Sequence, residues 1–160
     1  MLNLAPHSRV WIFQADRFLN EVEVKAIKKD MGEFMQTWAA HGKDIFGDFA
    51  LEYDLFLIIG ADEQRAPASG CSIDTLMRKV QDLGNTFNVN FLNRLLIAYE
   101  DPSTKIHLVT MEHFKQLMSK DEVTGQTTVY NNLVENVAEL NEKWRTKVAN
   151  SWHKNLLQVI

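Results

Sequence analysis

The sequence predicts an α+β fold, in which helices pack mainly on one face of a largely antiparallel sheet. Strand-like and helix-like segments follow the order β-α-β-β-α-β-β, and a C-terminal α-β-α extension completes the chain. This order contains pairs of successive strands, which favours hairpins over the helix crossovers of a parallel sheet. The chain has 160 residues, 46% of them apolar, which is enough to bury a core, so we expect a single domain spanning 1–160.

The first half of the chain begins with a strand at 9–14, which is rich in β-branched and aromatic residues. Asn20 and Glu23 have the spacing of a capping box, and the apolar residues after them predict a helix that ends near His41–Gly42. Next, an alternating pattern gives way to a continuous apolar run. We expect two strands joined near Tyr53–Asp54, with one long strand as the alternative, because no Asn-Gly or Gly-Gly marks the turn.

The second half of the chain alternates helices and strands in the same way. Hydrophobic spacing, capping residues and turn residues define each element. The predicted elements are a helix at 73–87 with Asn88 as its end, strands at 94–99 and 105–109, a short helix from Thr110 through Met118, a strand at 127–130 and a last helix along 134–148.

Charge and hydropathy argue against two classes of partner. The formal net charge is −4 and basic residues are scattered, so no basic stripe is present to bind nucleic acid. The longest apolar runs, 55–59 and 95–99, are far shorter than the roughly 20 residues of a membrane span.

A lone cysteine and a start without a basic or long apolar leader predict a cytoplasmic protein. We expect no cofactor, and the expected partner is a small molecule, an anion, a protein or a second copy of the chain.

The segment 66–74 is the strongest candidate for a functional site, because it holds the only cysteine and leads into an amphipathic helix. If Ser72 is the helix N-cap, Cys71 lies beside unpaired amides and the positive end of the helix dipole, which make a thiol more reactive. A thiol enzyme also needs a base, for which His41 and His153 are the candidates. The alternative is a small, buried cysteine in a tight turn.

The same turn is a candidate anion site. Gly70 permits close approach of a ligand to the backbone, Ser69 and Ser72 carry hydroxyl donors, and the helix amides point outward. Asp74 either opposes thiolate formation or stabilises the first turn of the helix. The alternative is that the two hydroxyl groups only cap the helix.

Two further polar pairs are candidates for a site. Asp62 and Glu63 end a buried strand before the cysteine segment, where they could act as a base or hold a cation, although a solvated strand end is commoner. Asn131 and Asn132 could recognise a ligand through their amide groups. The alternative for Asn132 is a capping box with Glu135.

The glycines at 42 and 47 have phosphate-loop spacing, but Asp48 and Phe49 stand where the lysine and the hydroxyl residue are required. The segment also lies between a helix and a strand, the reverse of the order that the motif needs. The sequence therefore excludes an ATPase of the phosphate-loop or ABC type. It has no paired CxxC and no HExxH motif, so we expect no metal site.

Five segments of the chain carry a resemblance to a known family: 9–14, 38–42, 69–74, 129–134 and 151–153. Together they resemble a small bacterial family of proteins of about this length, whose members often carry the label ABC transporter ATPase. The resemblance spans essentially the whole chain, and the absence of a phosphate loop contradicts that label. It implies that the five segments occur together in the family, and it implies no particular activity, ligand or catalytic residue.

The absence of a complete catalytic constellation in a well-patterned fold favours a non-catalytic binding or interaction domain in the cytoplasm. The alternative is a thiol-dependent enzyme or redox sensor that uses Cys71. In that case the amides of residues 69–72 would form the oxyanion or anion site.

Overall fold

The computed structural model describes residues 1–40 and 42–159, and it confirms the α+β class. His41, a candidate base and the predicted end of the first helix, lies outside the described residues. The helices are α1 (Glu21–Thr37), α2 (Gly70–Phe87), α3 (Met111–Ser119) and α4 (Val137–Lys143), with 3₁₀ turns at Val148–Asn150 and Trp152–Val159. The strands are β1 (Arg9–Gln14), β2 (Ala39–Ala40), β3 (Lys43–Asp44), β4 (Gly47–Glu52), β5 (Phe56–Ala61), β6 (Leu96–Glu100), β7 (Ile106–Thr110), β8 (Thr128–Tyr130) and β9 (Arg145–Lys147).

Contacts between Cα atoms divide the chain into two compact units. The first comprises Met1–Asn93 and Glu135–Ala138, and the second comprises Arg94–Val134 and the chain from Glu139 onward. Each unit has its own antiparallel sheet, so the strands do not form one continuous sheet. The expectation of a single domain stays a prediction.

The sheet of the first unit has the order β1-β5-β4, and all six residues of its central strand, β5, are buried. Tyr53 and Asp54 both have φ of 54°, and Leu55 N donates to Glu52 O, as in a type I′ turn. The predicted hairpin is thus confirmed, and the alternative of one long strand is wrong. Leu19 N donates to Asp54 O at 2.9 Å, which ties this turn to the segment before α1.

Helix α1 begins with the predicted capping box, in which Asn20 and Glu23 exchange side-chain and backbone hydrogen bonds of 2.9 Å. Arg17 forms two hydrogen bonds with the Glu23 carboxylate and donates to Phe87 O at the end of α2. These bonds from Arg17 and from the backbone of Asn20 lower the pKa of Glu23 to about 2. One guanidinium therefore joins the start of α1 to the end of α2. Helix α2 ends at Asn88 as predicted, and Asn88 has the left-handed conformation.

The predicted end of α1 near His41–Gly42 is wrong, because the helix ends at Thr37. Trp38 is extended, with ψ of 123°, and its indole ring is buried against Phe34 and Trp11. Its Nε1 donates to Ser72 O in α2 at 2.8 Å. Burial of this side chain takes the backbone out of the helix, and β2 then pairs with β3.

The sheet of the second unit has the order β7-β6-β8-β9 and two contrasting faces. On one face, Ile97, Val109 and Val129 pack with Phe114 of α3 in an apolar core, against which Trp152 also packs. Residues directly opposite in a sheet share a face, and the register pairs Thr128 with Lys147 and Tyr130 with Arg145. On the opposite face, β8 and β9 therefore form a polar region, whereas Ala98 of β6 and Leu108 of β7 lie on the same face farther from it.

The predicted helix along 134–148 is wrong over most of its length. Helix α4 covers only Val137–Lys143, and the chain then enters β9 because Asn131 N donates to Trp144 O at 2.6 Å. Asn132 is not the N-cap of this helix as predicted, because α4 begins only at Val137, and Asn132 Oδ1 accepts from Trp144 Nε1 at 3.0 Å. Most of the apolar residues that fit one helical spacing lie in α4, at Trp144 before β9 and in the 3₁₀ turn at Val148–Asn150.

Within the described residues, no helix is both long and apolar enough to span a lipid bilayer.

We expect Trp38→Phe to lower the free energy of unfolding by about 2–4 kcal/mol, because it leaves a cavity and removes the buried hydrogen bond from the indole to Ser72 O. Urea denaturation followed by circular dichroism measures the change. Trp11→Phe is the matched control, because Trp11 is half-buried, and it should cost about 1 kcal/mol. Equal losses in the two variants would contradict the role assigned to the Trp38 hydrogen bond.

Candidate functional site

The Cys71 segment begins α2 one turn earlier than predicted. The N-cap is Ser69 rather than Ser72, because Ser69 Oγ accepts from Ser72 N at 3.1 Å while Ser72 Oγ accepts from Ser69 N at 2.8 Å. Ser72 Oγ also donates to Ser69 O at 2.8 Å. Both hydroxyl groups are thus engaged inside the cap, which favours the capping interpretation over the anion site.

Cys71 is the second residue of α2 and is exposed, so the alternative of a buried cysteine is wrong. Gly70 and Asp74 are exposed beside it. The Cys71 carbonyl accepts a hydrogen bond from Thr75 Oγ1 at 2.9 Å, as in an ordinary helix turn. The thiol is accessible to solvent, and its role as a nucleophile stays a prediction.

His153 is buried in the second unit, whereas Cys71 belongs to the first. Its ring stacks on Trp152 at 3.9 Å and contacts Phe114, and a hydrogen bond of 2.7 Å joins its Nδ1 to Ser151 Oγ. Burial lowers the pKa of His153 to about 4, so the ring is neutral at pH 7. With 1% of its surface exposed, His153 packs as a core residue, which is unfavourable for a base that must reach a substrate.

Asp62 is also buried, so the expectation of a solvated strand end is wrong for this residue. Its Oδ1 accepts from His7 Nε2 at 2.8 Å and from Gln64 N at 3.1 Å. The hydrogen bond from His7 lowers the pKa of Asp62, and burial opposes this effect. The paired carboxylate fixes the residues before β1 to the end of β5, while Glu63 forms a half-exposed ion pair with Arg9.

Asn131 and Asn132 both take part in the local structure of the second unit. Asn131 Oδ1 accepts from Leu133 N at 3.2 Å in a turn after β8, and Asn132 Oδ1 accepts from the Trp144 indole. The Asn132 carbonyl group holds the chain after β8 against Trp144, the residue before β9. The use of the two asparagines in ligand recognition stays a prediction.

The second unit contains a polar groove of about 390 Å³ that the sequence does not predict. Side chains of β8, β9 and the end of β6 contribute to it, together with the β6–β7 turn and the loop between α3 and β8. The residues that line the groove are Glu100, Asp101, Pro102, Thr104, Glu122, Thr124, Gln126, Thr127, Thr128, Arg145 and Lys147.

A buried carboxylate lies in the floor of the groove. Glu100 accepts two hydrogen bonds from Arg145, at 2.7 and 2.8 Å, and a third from Tyr130 Oη at 2.6 Å. Burial raises the pKa of Glu100, but the hydrogen bonds from Arg145 and Tyr130 outweigh burial, so the pKa lies below its ordinary value. Glu100 is therefore ionised and fully paired at neutral pH.

A second set of polar groups closes the β6–β7 turn at the rim of the groove. Asp101 accepts from His107 Nε2 at 2.7 Å and from Ser103 Oγ at 2.6 Å, and these bonds hold the pKa of Asp101 well below its usual range. The composition is that of a Ser-His-Asp triad, but the hydroxyl group donates to the aspartate and not to the histidine. This arrangement stabilises the turn and does not activate Ser103.

The sequence pattern does not predict the groove residues, for a physical reason. Arg145, Thr146 and Lys147 are all polar, so β9 shows no alternation of polar and apolar residues, and the spacing of Trp144 and Val148 fits a helix. The contacts among Glu100, Tyr130 and Arg145 span up to 45 positions in the chain. No local pattern therefore predicts the groove.

Comparison with protein-family models, with curated proteins and with solved structures found no match to this chain. The resemblance to a small bacterial family therefore stays a prediction. Among the described residues, no group of three or more His, Cys, Asp or Glu side chains is arranged to hold a metal ion.

We expect the second unit to lose stability as the pH falls from about 6.5 towards 4. The folded state lowers the pKa of His153, so its stabilising effect is complete above the unfolded pKa of about 6.5 and is lost as the pH falls through the folded value. The loss attributable to His153 is on the order of 3 kcal/mol. Urea denaturation of the parent and of His153→Gln at several pH values measures it.

The control for this experiment is His113→Gln, which changes an exposed histidine in the same unit. The free energy of unfolding of the control should change with pH as that of the parent does. That of His153→Gln should fall less steeply as the pH is lowered. Parallel curves for all three proteins would refute the assignment, since carboxylates such as Glu100 contribute equally to each.

Proposed function

We propose that this chain is a cytoplasmic, bacterial, non-catalytic binding domain and that its ligand occupies the polar groove of the second unit. The observation that carries the proposal is the groove itself. Its volume of about 390 Å³ falls within the range of small-molecule sites, about 300–1,000 Å³. Concave surfaces of this size with converging polar groups are the usual places for ligand binding.

The floor of the groove is preorganised, which supports binding. Arg145 holds Glu100 through two parallel hydrogen bonds, an arrangement that fixes direction as well as distance. Lys147 Nζ donates to Thr128 Oγ1 at 3.1 Å from the adjacent strand. A ligand therefore meets side chains that are already ordered, and little conformational entropy is lost on binding.

The chemistry of the lining supports binding rather than catalysis. The described lining residues include no cysteine, histidine or serine that could act as a nucleophile or base. Its two most constrained carboxylates, Glu100 and Asp101, have low pKa values and are occupied by hydrogen bonds. A general acid or base works best with a pKa near the operating pH, which these groups do not have.

We expect Lys147→Glu to abolish or weaken at least about fivefold the binding of small polar ligands, because it reverses one charge in the groove. Saturation-transfer NMR with a library of polar fragments identifies ligands of the parent protein, and titration gives their affinities. Lys154→Glu is the matched control, since Lys154 is exposed in the same unit and does not line the groove. Fragments that bind both variants as well as the parent, or no bound fragment at all, would overturn the proposal.

A thiol-dependent enzyme or redox sensor is the second candidate, and the exposure of Cys71 in the first turn of α2 favours it. Under the binding proposal we expect Cys71 to react with iodoacetamide in the native state, at a rate within about threefold of the unfolded chain. The rates are measured by mass spectrometry at pH 7, with Cys71→Ser as the blank. A native rate many times faster than that of the unfolded chain would favour the thiol function.

A further inference from the structure

We infer that the ligand of the groove is a small zwitterion, with an ammonium and a carboxylate group, such as a short peptide with free ends. This inference rests on the proposed function, because it assumes that the groove binds a ligand. The inference is drawn from the charged side chains of the groove, because some of them are already paired inside the protein and others are not.

Three of the charged side chains in the groove are satisfied internally. Glu100 accepts from Arg145 and Tyr130, and Arg145 gives Nε and Nη2 to that carboxylate. Asp101 accepts from His107, from Ser103 and from the backbone of Lys105. These groups shape the groove, but they offer a ligand little uncompensated charge.

Two opposite charges remain. Among the residues that the structure describes, Glu122 and Lys147 line the groove without an ion pair, and both are exposed. Lys147 gives one hydrogen bond to Thr128, so its ammonium group keeps donors for a ligand. The Glu122 carboxylate is an acceptor for a ligand ammonium, and the Lys147 ammonium is a donor to a ligand carboxylate.

Each of the two charges lies near a residue of β6. Burial is the main cause of the raised pKa of Tyr99, and Glu122 adds to it, while Lys147 adds to the hydrogen bonds from Arg145 and Tyr130 that lower the pKa of Glu100 against the effect of burial. The lining also contains hydroxyl and amide groups, from Thr124, Gln126 and Thr128. Such groups suit the peptide bonds or hydroxyl groups of a small polar molecule.

Ligands with one kind of charge fit less well. An anion would face Glu122, and the cation nearest to the floor, Arg145, is committed to Glu100. A cationic amine would face Lys147. A large apolar ligand would desolvate the charged and hydroxyl groups of the lining without replacing their hydrogen bonds.

The experiment compares three forms of one tripeptide: Ala-Ala-Ala with free ends, its N-acetyl form and its C-terminal amide. Each is titrated into the ¹⁵N-labelled full chain at pH 6.5, and the backbone amide signals of the groove residues report binding. We expect the free tripeptide to shift the signals of 122–128 and 145–147. Acetylation and amidation should each weaken binding about tenfold.

Two variants, each lacking one charge of the groove, show which residue binds which end of the peptide. In Glu122→Gln the acetylated and free peptides should bind equally, and in Lys147→Met the amidated and free peptides should bind equally. Glu112→Gln and Lys154→Met are the matched controls, being exposed residues of the same unit outside the groove, and they should behave as the parent.

The outcomes separate this inference from the proposed function. If the acetylated or the amidated peptide binds as well as the free one, or if only singly charged fragments shift the groove signals, the zwitterion inference is overturned and the groove remains a binding site. If neither the peptides nor any polar fragment shifts these signals, both fail. Retention of the acetylation effect in Glu122→Gln would also overturn the inference.

Discussion

The second unit depends on the ionised carboxylate of Glu100. Glu100 ends β6, Tyr130 belongs to β8 and Arg145 begins β9, so one buried charge links three strands. A buried carboxylate is unfavourable unless donors compensate for its lost hydration, and Arg145 and Tyr130 supply three. Because β8 and β9 have only three residues each, their backbone ladder is short. The carboxylate therefore fixes the register where few backbone hydrogen bonds are present to do so.

The same ion pair determines the chemistry of the groove. Arg145 is half-exposed, yet its guanidinium group is committed to Glu100, so the floor is polar without a large net charge. The charged side chains not held in this ion pair are then those of the rim and of the outer strand. Under the proposed function, such a site would distinguish ligands by the arrangement of their charged groups more than by their hydrophobic area. That would separate it from the apolar pockets that bind most drug-like molecules.

The local elements were predictable, and the site was not. Capping at Asn20 and Thr110, the left-handed end at Asn88 and most strands follow from short-range patterns. The errors near Trp38 and Trp144 have a common origin, because each tryptophan continues a helical stripe while its indole donates a hydrogen bond outside its own helix or turn. The partners of Asp62 and Glu100 are distant in sequence, and no local pattern reports them.

The β4–β5 turn has a consequence for how the first unit assembles. Left-handed backbone is unfavourable by about 1 kcal/mol or more for a residue with a side chain, and Tyr53 and Asp54 adopt it in succession. The turn has no Asn-Gly sequence to favour it locally, so its stability comes from the ring contact between Tyr53 and Phe56 and the hydrogen bond from Leu19. The Leu19 hydrogen bond therefore couples the turn to the entry of α1, and we expect a substitution that weakens one of them to weaken the other.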